Sequence, residues 1–199
     1  FMRDREEDLL QFIEEDPDAL AIALKSIAKS LIEFNRVMIE KTGVEGFYYC
    51  VNNQNNFFED TLFNTYVAPY EKEVLEKANE LSDINILHIC GYDGLSNDLK
   101  LFKDFEAAAF NWDIYAEGVS LAEGKKLFGG KAVIGGFEQD QVIYTGTREE
   151  VEKATFDILG ECGQIGTIIG AGCTLPTDIE EIRLEWVRQA SIKYAVDKL

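Results

Sequence analysis

Short apolar runs alternate with amphipathic stretches along most of the chain, and that alternation leaves few folds open. The runs lie at 46–51 (GFYYCV), 84–90 (INILHIC), 107–112 (AAAFNW), 131–136 (KAVIGG) and 166–172 (GTIIGAG). Each is too short for a helix, and each is apolar on both alternating sets of positions, as expected of strands covered on both faces. Between them come helix-spaced residues: Val74, Ala78 and Leu81 after Pro69; Leu95, Leu99 and Phe102; a stretch over 120–128; Val151, Ala154, Thr155 and Ile158 behind the capping box Thr147-Arg148-Glu149-Glu150; and Ile182, Trp186, Ala190 and Tyr194 in a last helix over 178–198. Strand and helix in turn build a parallel sheet with right-handed crossovers. The expected class is therefore α/β, with about five parallel strands each followed by a helix. Five units fall short of an eight-stranded barrel, and the chain opens on helices. The expectation is the C-terminal part of a (β/α)8 TIM-type barrel, with residues 1–45 as its N-terminal helices and 46–199 as the βα-repeat domain.

Those first helices are read as a short acidic one over 6–15 and a long one restarted by Asp16-Pro17. Along the long helix Leu20, Leu24, Ile27, Leu31, Phe34 and Met38 form one apolar stripe, ended by Gly43. The opening Phe1-Met2 reads as a fragment boundary. A barrel fragment has two sheet edges to cover, so a homo-oligomer is expected.

The polar and sulfur-bearing residues that stand out all follow strands: the Asn52–Asn56 run, His88 and Cys90, Asp113, Glu138, and Cys173. Active sites of β/α folds gather at that C-terminal edge. His88 is the sole histidine in the sequence, and residues i and i+2 of a strand share a face, so His88 and Cys90 can converge on one point. If Cys173 in the turn 169–177 (IGAGCTLPT) reaches the same point, three donors surround one open position, the ligand count of a catalytic zinc site. A buried cysteine used as a small hydrophobe is the plainer reading of each thiol alone. No Gly-x-Gly-x-x-Gly follows a strand, which leaves a dinucleotide-binding fold without support.

Composition narrows the partners. A net charge of −18 disfavours nucleic acid, which needs clustered Lys and Arg. No apolar run nears the roughly 20 residues that span a bilayer, and no signal peptide opens the chain, so a cytoplasmic location without membrane attachment is expected. The four cysteines are accordingly read as reduced thiols.

The order HICG, NWD, a Gly135-Gly136 strand end, Gly146-Thr147 ahead of Glu149-Glu150-Val151, GAGCTLPTD and a terminal helix with Val187-Arg188 resembles the uroporphyrinogen decarboxylase superfamily, from about residue 43 to the end. The resemblance implies a (β/α)8 barrel and one of two chemistries. In the zinc-dependent methyltransferase branch, which acts on corrinoid proteins and thiols such as coenzyme M, a His-x-Cys pair and a distant Cys hold the metal. His88, Cys90 and Cys173 match that pattern. In that branch the zinc-bound thiol is kept as a thiolate and takes a methyl group from a corrinoid such as methylcobalamin. Asp113 and Tyr92 are then candidate catalytic or substrate contacts, and Asn52 and Asn53 candidate substrate-binding residues at the mouth of the site.

The true decarboxylases, lyases of porphyrin biosynthesis, act on tetrapyrrole carboxylates without metal. They carry histidine where this chain has Cys173, and their substrate-binding serine is replaced near Asn53. The family's Gly-Asn-x-Asp-Pro motif is departed from at Gly135-Gly136-Phe137-Glu138-Gln139. Three readings stand: a thiol-activating methyltransferase, a tetrapyrrole decarboxylase, and a barrel fragment inactive alone.

Overall fold

The computed structural model describes residues 6–51, 60–91 and 95–197. Asn52, Asn53 and Tyr92 lie outside the described residues. Two helices come first, α1 (Glu6–Glu15) and α2 (Pro17–Thr42). Asp16 caps α2 by accepting a hydrogen bond from the Ala19 amide at 3.0 Å, Pro17 occupies its first turn, and Gly43 closes it in the left-handed conformation.

The strands follow: β1 (Tyr48–Val51), β2 (Ile86–Ile89), β3 (Ala109–Trp112), β4 (Ala132–Phe137) and β5 (Thr167–Ala171). They form one parallel sheet in sequential order β1-β2-β3-β4-β5. Between β1 and β2 run α3 (Asp60–Leu62), a π-helical turn Phe63–Val67 and α4 (Ala68–Asn79). Pro69 lacks the N–H that an α-helix would aim at the carbonyl four residues back. Just before it the Ala68 amide bonds instead to the Phe63 carbonyl, five residues back. The crossover from β3 to β4 carries α5 (Ile114–Glu117) and α6 (Leu121–Leu127); that from β4 to β5 carries α7 (Val142–Thr145) and α8 (Arg148–Cys162); α9 (Glu181–Asp197) follows β5. Both capping boxes, Ser120 with Glu123 and Thr147 with Glu150, form in full.

The register sorts the strand side chains. Tyr48 lies beside Ile86, Cys50 beside His88, His88 beside Asn111, and Asn111 beside Ile134. The alternate set, Val51, Leu87, Ile89, Phe110, Trp112 and Val133, is buried under the helices with Phe63, Leu75, Phe102 and Phe128. Phe110 and Phe128 stack at 3.9 Å between ring centres. Phe137, Ile143, Val151 and Val187 form a second cluster beneath α8 and α9.

Three expectations are corrected. Leu95, Leu99 and Phe102 do not lie on an α-helix: the segment forms only a 3₁₀ turn, Leu99–Phe102, capped by Asp98, and Leu99 and Phe102 are buried from it. The α2 stripe is not the buried face. Ala28 and Asn35 are the buried residues of that helix, and Ile27, Leu31 and Phe34 are exposed, Phe34 by 56%. On α9, Ile182 is exposed while Ala190 is buried, because the helix turns its Val187 side to the second cluster. Among the described residues no helix is long and apolar enough to cross a membrane.

Candidate metal centre

The face of the sheet opposite the main core carries the chemistry. The β1–β2 ladder runs one residue past β2, where the Cys90 amide donates to the Val51 carbonyl at 2.8 Å. The β4–β5 ladder likewise runs past β5, with the Gly172 amide on the Phe137 carbonyl at 2.8 Å. These two bonds hold Cys90 and Cys173 at the strand ends. Gly172 sits so tightly against the chain that a Cβ there would come 2.6 Å from the Asp113 Cα, so only glycine fits without a shift.

Cys173 Sγ lies 3.8 Å from His88 Nε2 and 4.0 Å from Cys90 Sγ. A tetrahedral centre with metal–sulfur bonds of about 2.3 Å sets its donors about 3.8 Å apart, so these separations suit a metal without rearrangement of the strands. Sequence reasoning left Cys50 without a role. The structure brings its Sγ, a His88 ring nitrogen and the Cys90 Sγ within 4.8 Å of one another. Alternation marks Tyr48 and Cys50 as sharing one face of β1, but only the inter-strand register tells that this face is the one His88 points to.

His88 is 4% exposed and held on two sides. Tyr48 stacks on its ring, 5.3 Å between centres at 22°. Asn111 Oδ1 lies 2.5 Å from His88 Nδ1 and also accepts from the Tyr48 hydroxyl. The Asn111 amide nitrogen donates to the carbonyls of Ile134, at 2.8 Å, and Ala171, at 3.2 Å, which leaves its oxygen to face His88. Nδ1 is thereby the protonated nitrogen, and Nε2 turns a free lone pair toward Cys173. Asn111 belongs to the NWD segment, yet its role depends on contacts from three other strands, β1, β2 and β4, and from the end of β5.

The thiols interact electrostatically. A hydrogen bond with Cys50, aided by burial, pushes the Cys90 thiol up to about 12, while the same bond draws Cys50 below its ordinary value. Burial raises Cys173. Burial also raises the Tyr48 hydroxyl to about 12, keeping it protonated as a donor to Asn111. Asp113 is 6% exposed at the same rim and caps α5: its Oδ1 accepts from the amides of Tyr115 at 2.9 Å and Ala116 at 3.2 Å.

A sequential parallel sheet with sulfur and imidazole donors at its C-terminal edge defines an α/β protein of the β/α-barrel type. The family model for uroporphyrinogen decarboxylase (URO-D) matches residues 2–194, and the chain belongs to that family. Among solved structures it is similar to a methyltransferase from Methanosarcina mazei, with a TM-score of 0.76 at 16% identity. That match covers 95% of this chain and 53% of the other, so the chain spans about half the length of that relative. Comparison with curated protein sequences returns no match.

Proposed function

We propose that this chain carries the metal centre of a zinc-dependent, thiol-activating methyltransferase of the uroporphyrinogen decarboxylase family. The observation that carries the reading is the approach of the Cys173 thiol to both His88 Nε2 and the Cys90 thiol, at 3.8 and 4.0 Å, near the donor spacing of a tetrahedral centre. The soft sulfur and imidazole donor set suits zinc, and oxygen-preferring cations would find no match in it. Bound there, zinc lowers the pKa of a coordinated substrate thiol and keeps it as the nucleophilic thiolate.

The protein's own residues do the rest. Cys90 and Cys173 would hold the metal as thiolates, and His88 would supply Nε2. Asn111 fixes the His88 tautomer, and Tyr48 restrains both Asn111 and the imidazole ring. Asp113 keeps the rim beside Cys173 in shape. The methyl acceptor in this reading is a small thiol and the donor a methyl-corrinoid, free or on a corrinoid protein. The outer strands β1 and β5 each have only one strand neighbour among the described residues, and self-association is the way this reading covers those two edges. The protein in this reading works in the cytoplasm.

Elemental analysis of the purified chain tests the reading. About one zinc per chain, lost in Cys173→Ala, is the expected result. A chain that takes up no zinc when supplied with it would return the function to metal-free decarboxylation or to an inactive fragment.

A further inference from the structure

The geometry points to Cys50 as a fourth protein donor that closes the metal centre at rest and gives up its place to the substrate thiol. This rests on the zinc reading above. Catalytic zinc sites hold three protein ligands and leave one position open, and here a further sulfur, that of Cys50, lies within 4.8 Å of a His88 ring nitrogen and of the Cys90 Sγ. Cys50 and Cys173 approach the His88–Cys90 pair separately: Cys50 forms a group with them within 4.8 Å, and Cys173 lies 3.8 and 4.0 Å from His88 and Cys90. Cys50 reaches the pair from the strand ladder itself, since it lies opposite His88 in the β1–β2 register.

Its surroundings differ from those of the other donors. His88 is buried, Cys90 and Cys173 are partly buried, and Cys50 is exposed. Cys50 is thus the donor that solvent and an incoming thiol reach first. With Cys50 bound, the site is closed in the manner of structural zinc centres; with Cys50 released, it is open.

The exchange balances without any further reactant. The metal–sulfur bond to Cys50 breaks and one to the substrate sulfur forms. The proton on the substrate thiol moves to the Cys50 thiolate, which leaves as a thiol. The donor set keeps three sulfurs and one nitrogen, its charge does not change, and no proton reaches solvent. Without Cys50 a water fills the position, and the same thiol must shed its proton to buffer.

X-ray absorption at the zinc edge on the full chain, as wild type, Cys50→Ser and Cys173→Ser, counts the sulfur donors. Three are expected in the wild type and two in Cys50→Ser. Adding 2-mercaptoethanol should leave the wild-type count at three and raise that of Cys50→Ser from two to three. Proton release is read with an indicator dye at about pH 6, below the ordinary range of zinc-bound water. It should be near zero for the wild type and about one per bound thiol for Cys50→Ser. Circular dichroism confirms that Cys50→Ser, a change at an exposed strand position, keeps the fold.

Two sulfurs in both wild type and Cys50→Ser, with zinc bound, would overturn the role of Cys50 and leave the metal reading intact. Equal proton release from the two proteins would overturn the exchange. A wild-type chain that binds no zinc would overturn the metal reading and this inference together.

Discussion

Asn111 Oδ1 sits 2.5 Å from His88 Nδ1 because β2 and β3 run parallel with these two residues opposite each other. The bond decides which imidazole nitrogen faces the thiols. Asn111→Leu removes the acceptor and lets the ring flip or change tautomer, and loss of such a partner lowers metal affinity by about 10–100-fold. Asn111→Asp, which keeps an acceptor at Nδ1, should bind more tightly than Asn111→Leu. Competition with a chromophoric chelator measures both; equal affinity in wild type and Asn111→Leu would show that the bond does not orient the ligand.

Gly172 determines whether Cys173 reaches the other donors. In Gly172→Ala the new Cβ would press on the Asp113 backbone at 2.6 Å, and the Cys173 turn must move away. Zinc stoichiometry should fall while the thermal transition, set by the two apolar clusters, shifts by only a few degrees. Unchanged stoichiometry would mean that the turn absorbs the methyl group without moving Cys173.

Gly124 gives a case where the usual sign reverses. Replacing a mid-helix glycine by alanine ordinarily stabilises by up to about 1 kcal/mol. On α6 the added methyl would meet the Trp112 ring at 2.2 Å, and Trp112 is fully buried with its indole N–H donated to the Val119 carbonyl at 2.9 Å. Overpacking of this kind destabilises by about 1–3 kcal/mol. Urea unfolding of Gly124→Ala should therefore show a lower midpoint, and a raised one would refute the contact.

Glu71 on α4 has one buried carboxylate oxygen with no hydrogen-bond partner among the described residues, although the residue as a whole is partly exposed. Burial raises its pKa to about 8. In the unfolded chain this carboxyl ionises from its ordinary value of 4.5 upward while in the folded chain it stays protonated, so Glu71 destabilises the fold progressively from pH 4.5 to about 8. Glu71→Gln removes that slope. The variant should gain stability over wild type on the order of a few kcal/mol at pH 8, and much less at pH 4.5. Parallel stability–pH curves for the two proteins would show that the carboxyl is ionised in the fold.

Much of the architecture was legible from local physics. The strand ends fall within two residues of the apolar runs, Asp16, Ser120 and Thr147 mark helix starts through bonds made inside one turn, and Pro17 and Gly43 mark the two ends of α2 through their own backbone preferences. The errors came where burial depends on distant partners. The α2 stripe is as apolar as a core face, but α2 meets the rest of the protein through the side that buries Ala28 and Asn35. The segment around Leu99 has helical spacing, but only the 3₁₀ turn Leu99–Phe102 forms, and from it both Leu99 and Phe102 reach the core.

The candidate site divides in the same way. A two-residue period puts His88 and Cys90 on one face, and a glycine-rich turn puts Cys173 at a strand end; both are properties of the chain next to each residue. The meeting of Cys173 with His88 across the sheet, the entry of Cys50 into the cluster, and the hold of Asn111 and Tyr48 on the imidazole all depend on register between strands far apart in sequence. Register is set by how five strands pack under their helices, and a one-residue slip would turn any of these side chains to the opposite face. The sequence by itself therefore determined the donor types and the edge of the sheet that bears them. Only the tertiary structure decided which donors share a point in space.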